Sequence, residues 1–416
     1  MKRYPAVWRI DDWDDPWLPW YVRLVNRIPR SFLAKCLPLT AEAEMARASR
    51  ATGLSNFGAT DFLAPLNRLL EDLNQSPHLT SMGHLTGHAV VSMQLQSRLC
   101  VEHLLERHPG INDIPVRAPV IIAGLPRTGT THLHNLLAQV AGLRSIPYWQ
   151  TLSPVSSPKH RSYADSLRAR RRQHRISLFC AEHVVPALKR MHEMSLDMPH
   201  EELTLCALDY RSFFFEGIFQ APRYRGWYAS QDHTSGYRYL KKILQAIEFE
   251  TPENAPGRRW ILKSPQHLDQ LPAIVRAFPD ARIVRTHRDP ARAVLSMITM
   301  VLYSTRQCYT PGNRIAEARA WVDRLEGMLR RSVEQAEQLP DGNVMDVAFD
   351  GFMQAPEDTV RKVLDFAGIE YDPASQRAVN AHLQSHTRDR HGRIDYRFAD
   401  LGLDQDEVRE RFAGLA

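Results

Sequence analysis

Three short stretches of this 416-residue chain carry residue types and spacings that handle anions. The first, residues 119–131, reads Pro-Val-Ile-Ile-Ala-Gly-Leu-Pro-Arg-Thr-Gly-Thr-Thr. An apolar run meets a glycine-containing loop, and an apolar helix is expected from about His132 to Leu137. Strand, loop and helix start are the parts of a phosphate cradle, in which loop amides and the helix N-terminus point at an anion. The spacing fits G-x-x-x-x-G-[KT]-[ST], with Thr130 where the usual lysine stands and Arg127 as the cation inside the loop. That lysine holds the terminal phosphates of a nucleoside triphosphate, so its replacement argues against ATP hydrolysis.

The second stretch, Trp260-Ile261-Leu262-Lys263-Ser264-Pro265-Gln266-His267, sets a lysine and a histidine just past an expected buried strand. In a parallel α/β sheet that carboxyl edge is where ligands bind. The third, Arg285-Thr286-His287-Arg288-Asp289-Pro290, is followed by Ser296 about two helical turns on. An arginine leaving a strand and a hydroxyl so placed can clasp a second phosphate. Taken alone, Arg288-Asp289-Pro290 is only a helix-start signal, with aspartate at the cap and proline at N1. The order of all three is far more specific than any one.

Together these motifs resemble the sulfotransferases that use 3′-phosphoadenosine 5′-phosphosulfate (PAPS), closest to a bacterial branch related to protein-tyrosine sulfotransferases. The resemblance implies that Gly124 to Thr131 cradle the 5′-phosphosulfate, with Pro126, Arg127, Thr128, Gly129, Thr130 and Thr131 as contacts. It implies that Arg288 and Ser296 bind the 3′-phosphate and that Lys263 is a catalytic contact to the transferring group. His132 holds the position at which related enzymes stack an aromatic on adenine. Phe349, in Phe349-Asp350-Gly351 with Pro356 after it, matches an element whose aromatic lies near adenine, without the phenol hydroxyl. Similar runs are Ala51-Thr52-Gly53-Leu54-Ser55-Asn56-Phe57-Gly58 and the tail His391-Gly392-Arg393-Ile394-Asp395-Tyr396, in which Arg393 is a further donor contact.

Sulfuryl transfer is in-line displacement, with charge developing on the leaving phosphate, so the protein must position both partners and neutralise that charge. Arg127, Lys263 and the amides of Thr128 to Thr131 are the expected stabilisers, and no metal is expected. A base must also take the acceptor's proton. Many relatives carry a glutamate in a Trp-Glu element after the loop helix; here Trp149 is followed by Gln150, which cannot be a base. Glu201 and Glu202 are the next candidates, then His192, His200 and His267. A carboxylate in an apolar pocket is expected to have a raised pKa. The pair equally fits a helix's first turn, where acids are favoured.

The elements that hold these residues follow a strand–helix alternation. Strands are expected at 120–123, 260–262, 283–286 and 344–348, which implies a P-loop-type parallel β-sheet flanked by helices in an α/β fold. Residues 113–416 are read as that domain, with a helical insertion at about 153–257 shaping the acceptor pocket. Residues 1–112 show no β alternation and are read as an N-terminal helical extension, including helical stretches at 62–73 and 88–108. Phe213, Phe214, Phe215, Phe219, Trp227 and Tyr228 suit either a pocket for a hydrophobic alcohol or ordinary core. The basic stretch 159–175, with arginines 168, 170, 171 and 172, suits a solvated helix face or, less readily, a patch for an acidic partner. The aromatic stretch 16–25 suits either an arm packed on the core or a peripheral contact with a membrane interface.

Composition narrows the classes further. A net charge of +6 favours an anionic ligand or surface but is too mild and dispersed for nucleic acid. The five scattered cysteines lack C-x-x-C spacing, which suits a reduced cytoplasmic compartment without a metal site. No apolar run reaches the roughly 18 residues of a membrane span. The expectation is a PAPS-dependent sulfotransferase acting on a hydroxyl of a small or lipid-like acceptor. A nucleotide kinase or ATPase would need the missing lysine and a magnesium-binding aspartate. A degenerate nucleotide-binding or membrane-associated protein is favoured only by Gln150.

Overall fold

The computed structural model describes residues 6–251, 257–340, 342–386 and 392–415. A five-stranded parallel sheet runs in the order β3-β4-β2-β5-β6. Its strands are β2 Val120–Ala123, β3 Leu143–Arg144, β4 Arg259–Ser264, β5 Arg282–His287 and β6 Val344–Ala348. The continuous Val-Ile-Ile-Ala of β2 is buried at every residue, as a central parallel strand with both faces covered must be. Alternate residues feed opposite faces: Val120, Ile122, Ile261 and Val284 join one core, while Ile121, Ala123, Leu262 and Ile283 join the other. The first core packs under the helices Thr130–Leu137 and Pro356–Ala367, and the second holds most of the remaining helices.

The strand order places the carboxyl ends of β4 and β5 on either side of β2. Register pairs Ile122 with Lys263 and Ala123 with both Ser264 and Arg285. The three motifs therefore emerge side by side at one sheet edge, at the point where the chain crosses from one side of β2 to the other.

Lys263 and Ser264 lie inside β4 rather than past its end, so the strand extends two residues beyond expectation. The long helix expected at 88–108 spans Ser81–Arg107 and begins a turn and more earlier, with the Thr80 hydroxyl accepting from Gly83 N–H at 3.1 Å. Gly83 and Gly87 dilute the apolar stripe there. A Cβ at Gly83 would stand 2.4 Å from the Cys308 carbonyl oxygen, so this glycine serves close packing. The N-terminal region also contains one strand that alternation did not disclose. β1 Val7–Arg9 pairs in parallel with β7 Arg393–Asp395, joining the two ends of the described chain. Three residues are too few for a period-2 pattern to register.

The arginine run is less solvated than expected. Arg170 is buried, donates to the Ser153 carbonyl at 3.1 Å and stands 3.7 Å from Glu250, while Arg171 pairs with Asp197. The surrounding exposed arginines hid this buried position, because one inward residue per turn leaves the composition unchanged.

Candidate active site

The phosphate loop is shaped by its small and hydroxylic residues. After β2, Gly124 passes so close to neighbouring threonines that a Cβ would meet Thr286 Oγ1 at 2.1 Å and Thr130 Cγ2 at 2.8 Å. Thr128 is turned inward: its hydroxyl donates to the Leu125 carbonyl at 2.6 Å, shares a 2.6 Å contact with Thr286 Oγ1, and its N–H donates to the same carbonyl at 3.3 Å. Thr128 therefore pins the loop, and its amide is not aimed at an anion as expected. Arg127 (φ +75°) and Gly129 (φ +88°) both occupy the left-handed region, turning the chain into the helix Thr130–Leu137. The first N–H groups of that helix have no intrahelical acceptors and carry the positive end of its dipole.

These residues open onto one cavity of about 790 Å3 that crosses the sheet edge. On the side of the loop helix its wall includes His132, Phe349, Met353, His382 and Leu383. The His132 ring stands 5.3 Å from that of Phe352. On the other side the wall is largely apolar and rich in methionine, with Met191, Met194, Met198, Phe213, Phe214, Ile218, Met297, Met300 and Val301, while Lys189, Arg190 and Glu193 line it from the same segment as Met191 and Met194. Pro126, Arg127, Gly129, Thr130, Thr131, Arg288, Ser296 and Glu201 line it as well.

Arg288 leaves β5 and donates to the Arg127 carbonyl at 2.7 Å, with its guanidinium 4.0 Å over the Phe349 ring. Asp289 caps the following helix by accepting from Ala291 N–H, Pro290 takes its first position, and Ser296 projects from its second turn. Burial raises the pKa of the nearby Tyr396 phenol, while Arg127 and then the Ser296 hydroxyl oppose that shift. Phe349 follows the last residue of β6 and opens the helix Phe349–Gln354. Arg393 lies on β7 and does not line the cavity, whereas its neighbour Gly392 does; His391 falls outside the described residues.

The ionisable centre lies where β4 meets the loop helix. The Lys263 ammonium donates to Thr131 Oγ1 at 3.2 Å and is paired with Glu201. Lys263 is 2% exposed, so it sits just beneath the wall that Thr131 and Glu201 form. Burial pushes the Glu201 carboxyl up, but Lys263, His192 and His200 together hold it below the usual carboxylate range. The raised pKa expected for an apolar site is thus reversed, because the ammonium in contact and the two histidines together outweigh desolvation.

Glu202 faces away. One of its oxygens accepts the Lys263 N–H at 2.9 Å and the other stands 2.5 Å from His267 Nε2, whose Nδ1 meets the Tyr237 hydroxyl at 2.7 Å. Glu202 and His267 are fully buried and do not line the cavity. Burial raises the Glu202 carboxyl, and the contacts with His267 and the Lys263 N–H bring it net below its ordinary value. His192 lines the cavity 5.4 Å from His200, and burial lowers the pKa of both.

Gln150 is buried in the helix Tyr148–Leu152 and does not reach the cavity. Of the aromatics considered for the acceptor pocket, Phe213 and Phe214 line it; Phe215, Phe219 and Tyr228 are core, and Trp227 is packed against that core. The wall formed by Met297, Met300 and Val301 was not anticipated, because these residues belong to the apolar helix that follows Arg288 and look like core there. Tyr396 belongs to the resembling tail, and nothing local marks it, since Arg127 and Ser296, which act on its phenol, lie a hundred or more residues earlier in sequence.

The profile described as "Sulfotransferase family" matches residues 119–373. No curated protein sequence matches the chain. Among solved structures, the chain is similar to sulfotransferase STF1 from Mycobacterium tuberculosis H37Rv, at 26% identity and a TM-score of 0.78, covering 90% of this chain and 98% of that one. It is equally similar to sulfotransferase STF9 from Mycobacterium avium, at 26% identity and a TM-score of 0.78, covering 91% of this chain and 96% of that one. The matched span runs from the strand that enters the phosphate loop to past Phe349 and so includes Lys263, Arg288 and Ser296, and the chain belongs to the sulfotransferase family.

Proposed function

We propose that this sulfotransferase takes the sulfuryl group from PAPS, the co-substrate its family implies, and passes it to the hydroxyl of a hydrophobic acceptor. The observation that carries this reading is the contact chain Thr131–Lys263–Glu201 at the junction of the phosphate loop and the methionine-rich chamber. It joins an anion site, a cation and a carboxylate at the place where donor and acceptor would meet.

The residues present suit the donor. The free amides opening Thr130–Leu137 and the Arg127 side chain would hold the 5′ phosphosulfate, and Arg288 with Ser296 the 3′-phosphate. His132 and Phe349 would border the adenine. When bound, the donor supplies the sulfuryl group and leaves as the nucleotide bisphosphate. Lys263, fixed through its backbone by Glu202, neutralises negative charge at the loop. Glu201 is ionised and at the wall, so it is placed to take the acceptor's proton. Arg393 follows Gly392 of the cavity wall but does not itself line the cavity, so the proposed donor set does not include it. The methionines on the acceptor side of the cavity adapt to irregular apolar shapes.

Calorimetry with 3′-phosphoadenosine 5′-phosphate and with ATP tests the donor assignment. The 3′-phosphorylated ligand is expected to bind more tightly. Arg288→Ala should weaken that binding by about 10- to 100-fold, the worth of one or more charge-assisted hydrogen bonds. Stronger, magnesium-dependent binding of ATP would overturn the reading.

A further inference from the structure

An apolar platform at the N-terminal end of the chain lies outside the catalytic cavity. The helices Trp20–Asn26 and Arg30–Cys36 are clamped onto the helix Ser81–Arg107 by one face. Val22 and Leu33 are buried beneath them. The Met82 N–H donates to Asn26 Oδ1 at 2.9 Å, the Ser81 hydroxyl to the Ile28 carbonyl at 2.5 Å, and Arg30 to the carbonyls of Leu73, Asn74 and Ser76. The platform is therefore fixed to the body of the protein.

Its opposite face carries Trp17, Trp20, Tyr21, Leu24, Ile28 and Phe32, all exposed, with Trp20 at 75% and Phe32 at 58%. Large exposed apolar side chains elsewhere among the described residues are scattered in ones and twos along the chain, so this concentration is not the ordinary background of surface apolar residues. Charge identifies what fits it. From Pro16 to Ala41 the sequence contains no Asp or Glu, and Arg23 and Lys35 are exposed on the two helices and Arg27 at the end of the first. Of the aspartates just before Pro16, Asp12 and Asp14 are paired with Arg306 and Arg314. Aromatic and aliphatic side chains flanked by cations match the boundary between acyl chains and anionic headgroups. A second copy packed face to face would instead set these cations against themselves.

We propose that this platform docks the protein peripherally on an anionic lipid bilayer. Among the described residues no helix is long and apolar enough to cross a membrane, so the contact is one of a surface lying on the interface. It would hold the enzyme where hydrophobic alcohols concentrate, but it does not depend on the donor or acceptor assignment.

The test is co-sedimentation of the full chain with vesicles of phosphatidylglycerol mixed with phosphatidylcholine, and with vesicles of phosphatidylcholine alone. Binding to the mixed vesicles is expected, weakened by salt and far weaker on phosphatidylcholine. Replacing Arg23, Arg27 and Lys35 together by Gln should cost about a hundredfold in affinity, from roughly fivefold per cation. The pair Trp20→Ser and Phe32→Ser should abolish pelleting while thermal midpoint and nucleotide binding stay unchanged. Failure of the unaltered chain to pellet with either vesicle, or undiminished pelleting of the Trp20/Phe32 variant, would overturn the proposal. So would light scattering that shows a dimer of the unaltered chain, dispersed by the same two substitutions, together with no vesicle binding.

Discussion

Glu201 and Glu202 are adjacent in sequence and point at different tasks. Glu201 reaches the cavity wall and pairs with the Lys263 ammonium, whereas Glu202 lies beneath it, holding the Lys263 N–H and His267. Glu201→Gln should therefore lower kcat by about 10²- to 10⁴-fold, the usual worth of a general base, with nucleotide affinity nearly kept. Glu202→Gln should act mainly through stability and Lys263 placement, lowering the thermal midpoint more than turnover. Unchanged kcat in Glu201→Gln would return the base role to His192. The two bases also differ in pH dependence. Activity needs the deprotonated form, and the lowered Glu201 pKa keeps it deprotonated down to below the ordinary glutamate value of about 4.3. The acid limb of the kcat profile should thus lie in that acid range, with no loss as pH falls from neutrality to about 5. Residue types near the motifs announced an acid pair, but not which carboxylate faces the cavity. That choice depends on the backbone turn at Glu201–Glu202 and on β4 extending through Lys263.

The elements that position these side chains follow local rules, and where sequence reading failed it failed for physical reasons. β2, β5 and β6, the Asp289–Pro290 helix start and the phosphate loop were all legible, because buried parallel strands and caps leave strong local signatures. The Ser81–Arg107 start and the β1–β7 pair were not, since glycine packing and a three-residue strand leave almost none. One contact between elements carries a pH signature. Asp346 on β6 receives two hydrogen bonds from Arg285 of β5, at 2.8 and 2.9 Å, and contacts His287 at 2.6 Å. Burial raises this carboxyl, but the hydrogen bonds from His287 and Arg285 take it down to about 2. A depressed carboxylate stabilises the fold above its unfolded pKa, near 3.9, and that contribution is lost as pH falls through the folded value. The thermal midpoint should accordingly drop between about pH 4 and pH 2, and Asp346→Asn should flatten that part of the profile while lowering stability at neutrality. Because Asp346 is half exposed, solvent screening keeps the effect modest. A variant profile parallel to that of the unaltered chain would sink this account.

At the scale of the whole molecule, the ends of the described chain close over the site that its middle builds. Val7, Trp8 and Arg9 pair with Arg393, Ile394 and Asp395, and the Arg393 N–H also donates to the Ala6 carbonyl at 2.9 Å. Gly392, just before β7, lines the cavity with φ +87°, and a Cβ there would stand 2.8 Å from the Ala6 carbonyl oxygen. Tyr396, just after β7, lies near enough to Arg127 and Ser296 for both to oppose the upward shift of its buried phenol. The small two-stranded sheet thus fixes Gly392, a piece of cavity wall that the central sheet does not supply. Sequence reading recognised the tail by resemblance and assigned its role to Arg393, but the pairing is non-local and could not be read from either end alone. Ile394 is the inward residue of β7, 8% exposed in the larger core, and its truncation loosens the pair without touching the cavity. Ile394→Ala should lower stability by about 2 kcal/mol, toward the lower end for truncating a buried isoleucine, because a two-stranded edge can relax. It should also weaken 3′-phosphoadenosine 5′-phosphate binding severalfold. Tyr396→Phe removes only the phenol hydroxyl near Arg127 and Ser296 and should weaken the same ligand with little change in thermal midpoint. Calorimetry and thermal unfolding on both variants separate the two effects: ligand affinity unchanged in both would mean that the chain's ends are a structural clasp and not part of the donor site.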